Sequence, residues 1–346
     1  MDKICVIGTT SWGMTLAIML ARRGMNVNIW ARTEPEAARM REKGPDSHIM
    51  GGVEFPPTLS VTSSIEEAVS QATAVIMAVP SQTMRRNIEI VNPFFKTCEL
   101  IVSAAKGLEI GSNKRMSQVI ADVITPECQK NICVLSGPNL YREILSGKPA
   151  AAVVAAMDEA AAQKAQRLFS SPGFSVYTNH DIIGVELGGT LKNIIALGAG
   201  MIDGLEYGDN AKAAFITRGL TEMTAFSVAL GASPLTLSGL AGLGDLIATC
   251  SSTLSRNHTA GVELTRGMTL QEIQASMAGV AEGVTTTAAV WDQAQKLNLE
   301  MPITEKIHHI LYDGAQVRDV IPEILGTSCR HELAGRRWNL LSRWQK

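Results

Sequence analysis

Four short segments carry residues capable of chemistry, three of them beside glycines. They are Ala105-Lys106-Gly107-Leu108, Val185-Glu186-Leu187-Gly188-Gly189-Thr190-Leu191-Lys192-Asn193, Gly242-Leu243-Gly244-Asp245-Leu246 and Ser255-Arg256-Asn257. A lysine flanked by glycines can be approached closely by other chain and so buried, and burial disfavours its charged form and lowers its pKa toward working pH. Such an ammonium can hydrogen-bond an oxygen acceptor and give up a proton. Lys192 is a candidate for that part; its other reading is an interdomain or surface salt-bridge lysine. Asp245 can orient an ammonium, accept a substrate hydroxyl or cap the helical pattern that follows it. Arg256 offers a planar fork matched to phosphate oxygens, with Asn257 adding an amide donor; a loop arginine with a capping asparagine is the alternative.

A second constellation lies at the N-terminus. Gly8-Thr9-Thr10-Ser11-Trp12-Gly13 follows an apolar run and opens a helical one, the place of a G-x-G-x-x-G turn that aims main-chain N–H groups at a pyrophosphate. Gly8 and Gly13 fit its first and third positions. Thr10 stands at the second, where its branched side chain pushes a diphosphate outward or its hydroxyl donates to it. The next strand ends Ile29-Trp30-Ala31-Arg32-Thr33, with no carboxylate before Glu34. An NAD-specific site puts an acid there, about 20 residues beyond the glycines. Arg32 can instead pair with a 2′-phosphate or lie across adenine, so the sequence leans toward NADPH or dual use; a solvated strand-end charge is the alternative.

These residues need a frame. Apolar, β-branched runs at 3–7, 26–30, 74–79, 99–103, 131–135, 150–155 and 175–178 alternate with helical spacing, including 12–23 and 34–43. Continuous apolar strands separated by helices mean a parallel sheet covered on both faces. From about residue 185 the pattern becomes helical, notably over 187–201. The expectation is a Rossmann-like doubly wound domain, 1–184, followed by a helical domain, 185–346, packed closely enough to leave a ligand cleft. With 346 residues, 46% of them hydrophobic, the chain has material for two cores. A net charge of −2 excludes the basic footprint of a nucleic-acid binder. The C-terminal Arg330, Arg336, Arg337, Arg343 and Lys346 read as a solvated helix end or, alternatively, a phosphate-facing patch. Cys5, Cys98, Cys128, Cys133, Cys250 and Cys329 form no C-x-x-C, and His308-His309 lacks H-E-x-x-H, so neither disulfides nor a metal site is expected. The uncharged span 225–244 is long enough to cross a bilayer, but its glycines, Pro234 and hydroxyl residues mark buried helix plus loop. No cleavable leader is expected at the N-terminus.

Taken in order with Ser11-Trp12-Gly13, Ser136-Gly137-Pro138-Asn139 and Ala281-Glu282-Gly283-Val284-Thr285, these segments resemble the NAD(P)-dependent glycerol-3-phosphate dehydrogenases of bacterial type. The resemblance runs over nearly the whole chain. It implies a helical domain of the 6-phosphogluconate dehydrogenase C-terminal-like type, interconversion of dihydroxyacetone phosphate and sn-glycerol 3-phosphate for phospholipid synthesis, NADP or NAD as cofactor, a cytoplasmic location and a homodimer. It places Lys192, Lys106 and Asp245 in catalysis. Around the substrate it places Lys106, Gly137, Asn139, Asn193, Asp245, Thr249, Ser255, Arg256 and Asn257. Around the cofactor it places Gly8, Thr10, Ser11, Trp12, Gly13, Arg32, Lys106, Tyr141, Arg256, Val280 and Glu282; an ordinary surface carboxylate is the other reading of Glu282. The departures fall on the cofactor side: Thr10, Tyr141 where the family has a small residue, and Ser47-His48-Ile49-Met50-Gly51-Gly52 in place of a Tyr-Leu-Pro-Gly-like stretch. Two competing readings are a β-hydroxyacid dehydrogenase of the wider group and an NADPH-binding protein without turnover. The Ser-Arg-Asn and Gly-Leu-Gly-Asp segments argue against the first, and a retained proton donor against the second.

Overall fold

A computed structural model describes residues 3–45, 50, 52–95, 100–277 and 281–326. Val280, most of the 47–52 stretch, Cys98, Cys329 and the C-terminal basic cluster lie outside the described residues. The chain divides into two compact units, one of residues 1–106 and 115–182, the other of 107–114 and 183–346. The short segment Gly107–Lys114 thus joins the helical unit, which a contiguous division of the sequence does not anticipate.

The first unit runs β1 (Lys3–Ile7), α1 (Ser11–Arg22), β2 (Asn26–Trp30), α2 (Glu34–Lys43), β3 (Leu59–Thr62), α3 (Ile65–Val69), β4 (Ala74–Met77), α4 (Met84–Val91), β5 (Leu100–Ser103), α5 (Met116–Val123), α6 (Pro126–Gln129), β6 (Ile132–Ser136), α7 (Tyr141–Leu145), β7 (Ala150–Ala156), α8 (Glu159–Phe169) and β8 (Phe174–Asn179). The strands form one sheet in the order β3-β2-β1-β4-β5-β6-β7-β8. Side chains alternate across a strand. In β1, Ile4 and Val6 accordingly enter one core with α1 and α8, and Cys5 and Ile7 enter another with α4 and α5. Both faces are therefore covered, as continuous apolar strands require.

Two features differ from the sequence expectation. β3 is a four-residue edge strand with one exposed position, too short and too mixed to stand out as an apolar run. β7 pairs antiparallel to β6, although every other neighbouring pair is parallel. The reason lies in the connection: α7 has five residues and spans about 7.5 Å, too little to carry the chain back along the sheet as a parallel crossover demands.

The second unit consists of α9 (Ile182–Gly204), α10 (Gly208–Ala229), α11 (Pro234–Leu237), a π-helical turn (Leu240–Gly244), α12 (Asp245–Ser251), α13 (Arg256–Thr265), α14 (Leu270–Ser276), α15 (Glu282–Lys296), α16 (Pro302–Tyr312) and α17 (Val317–Leu325). The span 225–244 resolves into the end of α10, α11 and the π turn. α9 is the hub. It is the one described helix long and apolar enough to cross a membrane, and 89% of its apolar window is buried inside the protein. Its sides pack against Phe215, Phe226 and Leu246, so its hydrophobicity is consumed by this core. Glu222, fully buried on α10, accepts the main-chain N–H groups of Ile303 and Thr304 and the Thr304 hydroxyl at 2.7–2.9 Å. A carboxylate at that helix start meets donors that have no partner within α16.

Cys5, Cys128, Cys133 and Cys250 are in no disulfide among the described residues. Burial pushes the Cys133 thiol up to about 12, with Asp158 adding to the effect, and burial likewise pushes Cys250 up to about 12. The thiolate is the nucleophile, and at pH 8 such a group is ionised to about one part in ten thousand. Iodoacetamide at pH 8 should therefore leave both unmodified in the native protein and alkylate both in guanidinium chloride, read by peptide mass spectrometry. Native-state labelling of either at the rate of an ordinary thiol would contradict this burial.

Candidate active site

In the first unit the β1–α1 turn is built for close approach. Gly8 has φ +118°, and a Cβ on it would lie 2.5 Å from the Ala78 carbonyl oxygen at the end of β4. A side chain is excluded on both counts. Thr10 caps α1: its hydroxyl donates to the Ala78 oxygen at 2.8 Å and accepts the Gly13 N–H at 3.1 Å. The hydroxyl is thus spent inside the turn and does not act as an outward donor. The N–H groups of Ser11 and Trp12 precede the first intrahelical bond, from Met14 N–H to the Thr10 carbonyl. A glycine cradle with two main-chain donors at the start of a twelve-residue helix fits the pyrophosphate of a dinucleotide.

Other members of this half sit at the C-terminal ends of neighbouring strands. Lys106, just beyond β5, donates to the Gly137 carbonyl at 3.2 Å, just beyond β6. Both side-chain polar atoms of Asn139 are shielded from solvent without a hydrogen-bond partner, an arrangement that calls for a ligand or water. Tyr141 packs partly against the sheet core, and Arg142 lies 5.8 Å from its ring centre while its Nε donates to the Tyr141 hydroxyl. Arg32 is exposed, and its guanidinium makes no hydrogen bond or ion pair among the described residues. Sequence reasoning passed over Glu36. Its carboxylate reaches back from the first turn of α2 to accept the Thr9 hydroxyl at 2.7 Å and the Arg32 N–H at 3.2 Å.

The second unit holds a buried polar knot. Lys192 Nζ on α9 donates to Asp245 Oδ1 and to Thr249 Oγ1, each at 2.6 Å, and the Thr249 hydroxyl in turn donates to the Asp245 main-chain carbonyl at 2.6 Å. The lysine and aspartate side chains retain only 9% and 2% of their exposure. Burying an ammonium is strongly unfavourable unless it is paired and hydrogen-bonded, and here it is both. Gly188, one turn before Lys192, makes the approach possible: a Cβ there would fall 2.7 Å from the Ala241 carbonyl of the π turn that leads into Asp245. Asp245 stands at the first position of α12, and its carboxylate accepts from the Lys192 ammonium.

Asn257 has another duty beside this knot. Its Nδ2 donates to Asn193 Oδ1 and its Oδ1 accepts the Gly283 N–H, each at 2.9 Å, tying α9, α13 and the start of α15 together. The sequence had offered it as a phosphate donor; half of that amide's donor capacity and an acceptor site are already engaged. Ser255 caps α13 by accepting the His258 N–H at 3.3 Å. Arg256 follows at the first helical position, exposed and without a hydrogen bond or ion pair among the described residues. Glu282 opens α15. No local pattern points to His258, whose buried ring lies 2.7 Å from Asp203, with Lys212 on the same carboxylate at 2.9 Å. Burial would raise the Asp203 carboxyl, but the hydrogen bonds from Lys212 and His258 outweigh it and hold it below the ordinary value.

Comparison with known proteins bears on this arrangement directly. The N-terminal profile of NAD-dependent glycerol-3-phosphate dehydrogenase matches residues 3–162, and the C-terminal profile of the same family matches 181–322. The chain belongs to the NAD-dependent glycerol-3-phosphate dehydrogenase family. A glycerol-3-phosphate dehydrogenase [NAD(P)+] of Dehalococcoides mccartyi is 56% identical over 100% of this chain and 97% of its own length. One from Geobacter metallireducens is 44% identical over 94% and 97%. The crystal structure of the Coxiella burnetii glycerol-3-phosphate dehydrogenase superposes with a TM-score of 0.89 at 34% identity, covering 94% of this chain and 99% of that one. A D-mandelate dehydrogenase bound to NADH shares the fold alone, at 14% identity and a TM-score of 0.58 over 90% of this chain and 98% of that one.

The glycine packing in this family member yields a test apart from catalysis. Gly188→Ala forces a methyl group onto backbone, not onto a yielding side chain, and overpacking of this kind costs about 1–3 kcal/mol. The variant should melt several degrees below wild type in a thermal scan and lose activity. An unchanged melting temperature would mean that the π turn and α9 are not in the contact described.

Proposed function

We propose that this chain catalyses the reversible reduction of dihydroxyacetone phosphate to sn-glycerol 3-phosphate with NADH or NADPH, in the cytoplasm, supplying glycerophospholipid synthesis. The observation that carries the proposal is the buried Lys192–Asp245–Thr249 knot in a chain of this family. A bound nicotinamide dinucleotide supplies hydride to the ketone carbon. Lys192 Nζ hydrogen-bonds the carbonyl oxygen and passes its proton to the developing alkoxide, leaving a neutral amine; in oxidation the amine takes the hydroxyl proton back. Asp245 keeps the ammonium oriented and compensated while it is charged, and Thr249 fixes the side chain's direction. In the first unit, the family resemblance assigns Lys106 to substrate and cofactor, and Gly137 and the unpartnered amide of Asn139 to substrate contacts.

The phosphate falls to the start of α13. A basic residue at a helix N-terminus adds to the positive end of the dipole instead of offsetting it. Arg256 in that position, without a carboxylate partner, is explained by an anionic ligand. The N–H groups of Arg256 and Asn257 precede the helical ladder, and Ser255 fixes the turn. Asn257 holds Gly283, the neighbour of Glu282, and is itself tied to Asn193. A homodimer accompanies the proposal, supported by apolar side chains left bare on the helical unit, Leu235 at 80% and Ile247 at 50% exposure.

Oxidation of NADH or NADPH by dihydroxyacetone phosphate, followed by absorbance, tests the assignment. Lys192→Ala should lower kcat by about 10²–10⁴-fold, the usual share of a general acid. Arg256→Ala should chiefly raise KM for dihydroxyacetone phosphate, by about 10–100-fold for a lost charge-assisted contact. A Lys192→Ala enzyme turning over within threefold of wild type, or a wild-type preference for a hydroxy acid, would overturn the proposal.

A further inference from the structure

The end of β2 is where a Rossmann-like unit reads the adenosine ribose: an acid accepts the ribose hydroxyls of NAD, and an arginine takes the 2′-phosphate of NADP. By sequence that position holds Arg32 and no carboxylate. The structure changes this inventory. Glu34, the nearest acid, is turned away to Arg41 and to the Ser63 hydroxyl. Glu36, in the first turn of α2 and about 20 residues beyond the glycines as the ribose acid is in general, folds back to the strand end. One of its carboxylate oxygens accepts the Thr9 hydroxyl of the glycine turn, and the other accepts the main-chain N–H of Arg32. Its own N–H goes to the Thr33 hydroxyl that caps α2.

An ionised carboxylate offers about four acceptor sites, two on each oxygen. Each oxygen of the half-buried Glu36 therefore keeps one lone pair beyond the protein donor it already has, which matches the two hydroxyl donors of an unphosphorylated ribose. Because Glu36 takes the Arg32 main chain and not its guanidinium, the arginine's charge is not cancelled and its fork stays without a partner among the described residues. Anion and cation thus stand side by side at the one position where NADH and NADPH differ.

We propose that Glu36 and Arg32 act as a pair that sets cofactor choice, Glu36 holding the ribose hydroxyls of NAD(H) and disfavouring a 2′-phosphate, and Arg32 taking that phosphate in NADP(H). The inference rests on the dinucleotide part of the proposed function and deepens it: use of both cofactors is built in, and Glu36 is what holds NADPH back. A phosphate at the ribose brings nearly two negative charges toward Glu36, so removing the carboxylate charge relieves a repulsion for one ligand and deletes hydrogen-bond acceptance for the other.

Direct titration by calorimetry of ADP-ribose and of its 2′-phosphorylated counterpart, without substrate, reads the pair independently of turnover. Glu36→Gln should weaken ADP-ribose about tenfold, the effect of a hydrogen bond to a charged group, and should leave the 2′-phosphorylated ligand equal or tighter. Arg32→Ala should weaken only the phosphorylated ligand, by about tenfold. Thr9→Val cuts the Thr9–Glu36 tie without touching charge and should leave the ratio of the two affinities within a factor of three of wild type. Equal weakening of both ligands by Glu36→Gln, or a ratio shift in Thr9→Val as large as in Glu36→Gln, would overturn the proposal, because Glu36 would then be only a brace for the loop. Failure of wild type to bind either ligand would overturn the dinucleotide reading as well, a result distinct from equal weakening.

Discussion

A lysine ammonium held out of water by one carboxylate is the constraint on which the helical unit depends. The pair of Lys192 and Asp245 is buried to within a few per cent, 2.6 Å apart, with Thr249 as the lysine's second acceptor. Removing two charges from water is expensive, and pairs of this kind are commonly no more stable than apolar side chains of the same volume. Such a pair is poorly explained as a stabilising device. Under the proposed function it is a proton donor kept in a defined direction, with the surrounding helices arranged to tolerate it.

The tolerance is visible in the packing. α9 carries the lysine through the centre of its unit, and Gly188 lets the backbone before Asp245 come into contact with it. Glycine inside a helix is unfavourable by about 0.5–1 kcal/mol relative to alanine, so its placement reflects contact and not helix preference. Around the knot, Asn257 joins three helices through one amide, and Asp203 gathers Lys212 from α10 and His258 from α13. The Asn257 bridge fixes neighbours of residues with proposed roles: Asn193 beside Lys192, Gly283 beside Glu282, and Asn257 itself beside Arg256. In the sheet unit the same economy governs Thr10, whose hydroxyl closes the glycine turn onto β4 and leaves the main-chain donors of Ser11 and Trp12 to face a ligand.

Much of this was legible in the sequence because it is local. β1, β2 and α2 coincide with their apolar or polar runs, since a strand buried on both faces leaves a continuous hydrophobic signature. Gly8 and Gly13 announced the turn, and Lys192, Asp245 and Arg256 stood in segments similar to those of a known family. What was not legible depended on partners distant in the chain. Thr10 was open between donating outward and crowding a diphosphate until Ala78 was seen to occupy its hydroxyl. Glu36 was missed because spacing points to the strand end, whereas its carboxylate arrives there from the next helix. His258 lies 55 positions from Asp203, and no local pattern links them. The antiparallel β7 follows from a connection whose single short helix could not be sized from periodicity.

Under the proposed function the Lys192–Asp245 pair is retained for proton transfer against the interest of stability, and a double-mutant cycle in urea separates the two. Lys192→Met and Asp245→Leu singly should each destabilise the protein by about 3–5 kcal/mol, because each strands a buried charge, whereas the double variant should recover most or all of the loss. It should remain without turnover. Additive losses in the double variant, or a double variant that still reduces dihydroxyacetone phosphate, would contradict the account.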